Sequence, residues 1–245
     1  MSIQQQLKDS AYKLNQGLKA ISFEDVEDVA HIYYPWDYAG AVYHAYLDQF
    51  TKKPKQVLFL GMNPGPFGMT QTGIPFGQVE AVRDWMQLPD LVEQPETFFA
   101  KRPIVGFACE RSEVSGERLW GLFSQKYPVA TDFFEEHIVM NYCPIIWLGA
   151  RGQNITPDKL PKERIKQVEQ LCLEHLAQVV QTLQIKTIVG VGAYAHDKAK
   201  QLQQEYDLES LNLAKILHPS PASPAANRGW AEQAEKQLID QEIWS

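Results

Sequence analysis

One α/β domain built on parallel strands is what the sequence predicts, from three observations. Short apolar, β-branched runs recur along the chain, amphipathic stretches lie between them, and no repeat, Gly/Ser linker or charge block divides the 245 residues. Ile3, Leu7, Leu14 and Leu18 share one helical face, and residues 38–50 (YAGAVYHAYLDQF) read as a second, more buried helix. These N-terminal helices, about residues 1–50, are expected to pack on the α/β core as part of a single domain spanning 1–245. The period then changes. QVLFLGMN (56–63), HIVMNYC (137–143), KTIVGVG (186–192) and LAKILH (213–218) each read as a buried strand. Between the second and third, residues 163–183 carry an apolar helical stripe of Ile165, Val168, Leu171, Cys172, Val179 and Leu183. Strand–helix–strand order implies parallel pairing through right-handed crossovers. A last helix is predicted from near Pro224 through AANRGWAEQAEKQLID.

Composition narrows the class of protein. Hydrophobic residues at 44% and charged residues at 22% suit an ordinary globular chain and exclude a collagen-like or low-complexity one. No apolar run approaches the ~20 residues that cross a bilayer, and the start has no secretory apolar region, so an intracellular protein is expected, cytoplasmic or nucleoid-associated in a bacterium and nuclear in a eukaryote. Cys109, Cys143 and Cys172 show no CxxC spacing and read as reduced thiols, and the histidines show neither HxH nor HExxH spacing, so no metal is expected. GVGAY lacks the dinucleotide fingerprint, no Walker lysine motif occurs, and there is no GxSxG elbow. A cofactor-free monomer is the expectation. The net charge of −7 taken alone argues against a nucleic-acid partner. The distribution argues the other way. Lys52, Lys53 and Lys55 lie in an acid-free segment (51–79), Arg151, Lys159, Lys162, Arg164 and Lys166 outnumber the acids of 137–166, and 211–230 holds Lys215 and Arg228 with no acid.

Three motifs sit where the predicted strands stop. GMNPGPFGMTQTGIPFG (61–77) combines five glycines and three prolines with Phe67 and Phe76. Such a loop is rigid and lets backbone approach a flat ligand closely, though the same composition also suits a plain αβ connection. HPSPASPAANRGW (218–230) stiffens the chain around His218 with Pro219, Pro221 and Pro224. MNYCP (140–144) puts the Asn141 amide, one acceptor and two donors, at a strand end. Parallel strands gather their carboxyl ends on one edge, and ligands of open α/β sheets bind there, so Asn63, Asn141 and His218 are expected to share one crevice. Lys215 is one residue out of phase with His218 and is not expected in that crevice.

GMNPGPFGMTQTGIPFG and HPSPASPAANRGW together closely resemble the two signature motifs of the single-strand-selective monofunctional uracil-DNA glycosylases, family 3 of the uracil-DNA glycosylase superfamily; the similarity runs from about residue 30 to the C-terminus and includes VRDWM and NYCP. The resemblance implies a three-layer sandwich with a central four-stranded parallel sheet flanked by helices, and no metal or organic cofactor. It implies a repair enzyme that hydrolyses the glycosidic bond of uracil, and of 5-modified uracils, in single- and double-stranded DNA, leaving an abasic site. Asn63 matches the water-positioning asparagine and His218 the donor to the departing base. Asn141 matches the residue that reads the base and Phe76 the ring that stacks on it, with Met62, Gly65 and Met69 shaping the pocket. The segment Pro219, Ser220, Pro221, Ala222 and Ser223, with Asn227 and Arg228, matches the wedge that enters DNA, and Arg151 and Lys162 are candidates for phosphate contacts. Ala222-Ser223 stands where a longer cationic side chain is typical of this wedge. The competing readings are a glycosylase for deaminated purines, a non-catalytic damaged-base-binding module and a nucleoside hydrolase.

Overall fold

The computed structural model describes residues 1–245. In chain order the elements are α1 (Ile3–Lys19), β1 (His31–Tyr33), α2 (Pro35–Tyr38), α3 (Gly40–Phe50), β2 (Val57–Gly61), α4 (Met69–Thr72), α5 (Val114–Lys126), α6 (Ala130–Glu136), β3 (His137–Asn141), β4 (Ile146–Leu148), β5 (Asn154–Ile155), α7 (Lys162–Leu183), β6 (Thr187–Val191), α8 (Ala193–Glu205), β7 (Asn212–Ile216) and α9 (Trp230–Asp240). The four predicted strands are present and form one parallel sheet in the order β3-β2-β6-β7, flanked by helices. β2, β3 and β6 are buried along their whole length, as expected of unbroken β-branched runs covered on both faces.

The strand order positions the site. From β2 the chain leaves to β3 on one side and later returns to β6 on the other, so the crevice beyond the carboxyl ends of β2 and β6 is a topological switch point. Registry aligns Gly61 with Asn141 and Val191 with Ile216, which puts the residues following each strand on one edge.

Both outer strands are closed by side chains from helices, which removes open edges that would otherwise pair with another chain. Along β3, the Tyr46 hydroxyl of α3 donates to the Val139 carbonyl at 3.0 Å and accepts from its N–H. Along β7, Gln241 just past α9 accepts from Lys215 N–H and donates to its carbonyl, each at 3.0 Å, while Gln237 accepts from Leu217 N–H. Lys215 thus lies against α9 and solvent, away from the crevice, as its phase predicts.

Three features depart from the sequence reading. β1, β4 and β5 form a second, antiparallel sheet of two- and three-residue strands, too short to leave a periodic pattern. The second helix is split, with a single turn at Pro35–Tyr38 before α3 starts at Gly40. The last helix begins at Trp230 instead of near Pro224: residues 224–229 are turns, and Gly229 adopts φ +82°, a conformation that ends any helix entering from the N-terminal side. No helix is long and apolar enough to cross a membrane.

α1 packs along α7, and Leu7, Leu14 and Leu18 join the main hydrophobic core. Beneath the sheet, Lys55 is only 2% exposed and donates to the Phe134 carbonyl. Burial pushes its ammonium down to about 8, with Lys53 acting in the same direction and Glu135 opposing. Below that pH the fold carries a buried charge. Between about 8 and the ordinary value of 10.5 the native state releases a proton that the unfolded chain keeps, so this group makes stability rise with pH there. Urea unfolding of wild type and Lys55→Met should therefore show a stability difference that shifts toward the wild type as pH rises from 8 to 10; a difference independent of pH would contradict this.

Candidate active site

The site is built around a missing side chain. A Cβ placed on Gly61 would lie 2.2 Å from Asn141 Oδ1 and 2.5 Å from Phe76 Cε2. Only glycine at the end of β2 lets the carboxamide of β3 and the ring of the first-motif loop occupy the same space. The Asn141 amide nitrogen rests against Met69 Sδ at 3.2 Å, and its Oδ1 is buried without a partner. Phe76 has φ +53°, a left-handed conformation costly for a bulky residue, and it is 9% exposed. Its ring centroid is 6.3 Å from that of His218, and the two planes are tilted by 46°. Gly192, after β6, is as constrained: with φ +92°, a Cβ there would meet His218 Cβ at 3.0 Å. The ends of β2, β3 and β7 thus converge on one narrow recess through Met69 and Phe76, Asn141 and His218, with Gly192 after β6 packed against His218.

His218 has a defined protonation state. Burial lowers its pKa below the ordinary 6.5, so the imidazole is neutral at physiological pH. Its Nδ1 accepts the Ser220 N–H at 3.1 Å, which requires the proton to sit on Nε2. Nε2–H has no hydrogen-bond acceptor in the chain and is a free donor. Asn63 ends the β2 run; both its Oδ1 and Nδ2 are buried without partners. An unsatisfied amide of this kind costs roughly 1–3 kcal/mol unless another molecule bonds to it.

The other predicted residues divide. Met69 touches Asn141, whereas half-buried Met62 contributes its carbonyl to Cys143 N–H at 2.9 Å. Gly65 packs on Glu113: a Cβ there would come 2.3 Å from the Glu113 carboxylate. Phe67 turns outward against Arg111, leaving Phe76 as the ring of the recess. Pro219 is buried, Ser220 and Ser223 half-buried, and Pro221, Ala222, Asn227 and Arg228 exposed, so the Pro-rich loop presents a surface next to His218. Arg151, exposed, is at the tip between β4 and β5, and Asn154 of that hairpin donates to Pro64 O of the first motif. Lys162 is exposed at the start of α7 and is not among the residues around the recess.

Sequence reasoning missed α5, which joins the two motifs. Glu113, which caps its N-terminus, lies beneath Gly65 and Gly68. Burial raises the Glu113 carboxyl above the usual range, while the Phe67 and Ser115 amides and Arg111 pull it back. Gly116 abuts the Phe76 carbonyl so closely that a Cβ would sit 2.0 Å from it. Arg118 donates to the Pro219 carbonyl at 3.0 Å and to Asn227 Oδ1 at 2.8 Å. The spacing of Glu113, Gly116 and Arg118 has no signature in one sequence because its meaning lies in contacts to loops about 40–110 residues away.

A doubly wound α/β chain with a ring, a buried carboxamide and a neutral imidazole around one flat recess defines a class that handles a small planar group. Comparison gives the class its name. The family model described as the Uracil DNA glycosylase superfamily matches residues 48–242. The chain is 42% identical over 230 residues to the single-strand selective monofunctional uracil DNA glycosylase of Bos taurus, covering 92% of this chain and 82% of that one. The proteins of that name from Rattus norvegicus and Mus musculus match equally, over 92% of this chain and 80% of theirs. The crystal structure of wild-type SMUG2 from Pedobacter heparinus shares the fold with a TM-score of 0.64 at 17% identity, covering 96% of this chain and 97% of that one. The chain belongs to the uracil-DNA glycosylase superfamily, in the single-strand-selective monofunctional family.

Removing the Arg118 side chain should free the Pro-rich loop without disturbing the sheet. In Arg118→Ala, loss of two charge-assisted bonds worth about 1.5–3 kcal/mol each should speed hydrogen exchange at the Ser223 and Asn227 amides at least tenfold. Unchanged exchange there, measured by mass spectrometry, would show that Arg118 does not hold the loop.

Proposed function

We propose that this chain is a monofunctional uracil-DNA glycosylase of base excision repair, in which Asn63, Asn141, Phe76 and His218 perform the chemistry. Hydrolysis breaks the bond between the base nitrogen and C1′ of deoxyribose; positive charge builds on the sugar, the base leaves as an anion, and water supplies the hydroxyl. The observation that carries the reading is the neutral His218, whose Nε2–H is a free donor beside a ring and a carboxamide that share one recess.

That geometry supports the following roles. Nε2–H of His218 donates to the base oxygen next to the sugar as negative charge accumulates, electrostatic stabilisation worth about 3–4 kcal/mol from one donor. Asn63, both amide atoms lacking partners, orients the attacking water; an amide has no useful basicity, so its contribution is positioning. Asn141 donates to the second uracil carbonyl and accepts from the ring N–H. Cytosine presents the reverse pattern and leaves a buried amide mismatched, which is strong discrimination. Phe76 stacks on the everted base for about 1–3 kcal/mol. No tyrosine stands in 61–77 to exclude a 5-substituent, which supports 5-hydroxymethyluracil as a further substrate. The recess is complete within one chain, consistent with action as a monomer.

Everting a base from a duplex costs a few kcal/mol that a single strand largely avoids. Ala222 is exposed in the loop after His218, and its methyl group is too short to fill the gap left in a duplex. Substitution Ala222→Arg should raise the duplex-to-single-strand rate ratio severalfold, and a ratio unchanged by it would remove the wedge assignment.

The central test is base release from an oligonucleotide containing one uracil. His218→Leu should lower kcat by about two to three orders of magnitude, and Asn63→Ala should lower it with little change in KM. Because His218 acts neutral, the wild-type rate should be flat from pH 6.5 to 8, with any acid limb below 6.5. No release by the wild type, or a His218-dependent limb between pH 7 and 8, would refute the mechanism.

A further inference from the structure

The first-motif loop has two sides. Its inner side carries Phe76; on its outer side Phe67 forms one wall of a separate surface cleft of about 260 Å³. The Arg111 guanidinium lies over the Phe67 ring 4.1 Å from its centroid, and Arg102 approaches the same ring at 5.3 Å. Arg111 is exposed, and its guanidinium makes neither a hydrogen bond nor an ion pair within the chain. Arg102 Nε is buried without an acceptor. Lys101 lines the cleft and donates to Ala150 O at 2.6 Å, tying it to the β4–β5 hairpin. There a Cβ on Gly152 would lie 3.2 Å from Arg102 Cγ, which brings Arg151 alongside. Gln71 forms part of the floor, held by Pro66 and Pro103 carbonyls and by Val105 N–H. Glu110 is the one acid lining the cleft.

This concentration of positive charge is anomalous in a chain of net charge −7. None of Lys101, Arg102, Arg111 or Arg151 makes a direct ion pair, although Arg111 is close enough to Glu113 to favour its ionised form, and a planar guanidinium lying over a phenyl ring makes a platform for a nucleobase. Four residues separate Phe67 from Asn63, at most about 14 Å of extended chain, so the cleft is within a few nucleotides of the base recess.

We propose that this cleft is a second nucleic-acid subsite, taking a nucleotide of the single strand that flanks the everted base. Its base stacks on the Arg111–Phe67 pair, and its phosphates meet Lys101, Arg102 and Arg151. A duplex keeps its bases paired inside and has no free face to offer, so the subsite favours single strands. The inference rests on reading the neighbouring recess as the uracil site.

The test compares the full chain with its variants on a single-stranded oligonucleotide of about 15 nucleotides containing one uracil and on a trinucleotide with uracil in the middle. Loss of one stacked base in Arg111→Ala should raise KM on the long strand by about fivefold or more. The loss should be under twofold on the trinucleotide, which does not reach the cleft. Lys101→Ala should reduce the slope of log(kcat/KM) against log salt by about 0.7, the value of one phosphate contact on a single strand. Arg111→Lys should keep the salt slope and not recover KM, which separates stacking from charge. Equal losses on both substrates, or an unchanged KM on the long strand, would overturn the subsite. Anisotropy with a uracil-free strand of the same length separates this from failure of the uracil reading: Arg111→Ala should still weaken binding at least fivefold if the wild type releases no uracil, and undiminished binding would reject the subsite alone.

Discussion

A close approach of three chain segments at Gly61 governs the rest of the site. β2 and β3 pair in parallel with Gly61 opposite Asn141, so the side chain of a larger residue at 61 would occupy the place of the Asn141 amide and of the Phe76 ring. Satisfying that approach requires Phe76 in a left-handed conformation, which the surrounding structure must impose. Thr72 helps to impose it: its hydroxyl donates to Gly77 O at 2.9 Å and accepts from Ile74 N–H, closing the loop just beside Phe76. Strain at the recess is thus sustained by hydrogen bonds within the turn that holds Phe76.

The second determinant is α5, which acts as a bracket between the two motif loops. Glu113 fills the space beneath the glycines of the first, Gly116 lets the helix reach the Phe76 backbone, and Arg118 holds the Pro-rich loop that follows His218. The ring and the imidazole come from segments about 140 residues apart, yet one rigid helix sets their separation. Proline stiffening limits the conformations of the second loop, but the Arg118 contacts select among them.

Much of this was legible in the sequence because parallel strands buried on both faces need continuous apolar runs, and those runs ended at Asn63, Asn141 and His218. The short antiparallel sheet was not legible: two- and three-residue strands are held by tertiary position and leave no period to read. The start of α9 was misplaced since a proline followed by alanines suits a helix locally, whereas Gly229 in a left-handed turn and the Arg118 bond to Asn227 hold 224–229 out of it. The packing of Gly65 on Glu113 was not legible either, because it joins segments 48 residues apart.

The amino-acid sequence by itself determined the class of fold, the direction of the four strands and the edge where chemistry-bearing residues gather, since hydrophobic periodicity and turn residues are local properties of the chain. Only the tertiary structure decided which ring faces the recess, which tautomer His218 adopts and which cations surround Phe67. Those depend on through-space contacts between segments far apart in the chain, where an ångström separates a shared cavity from a steric clash.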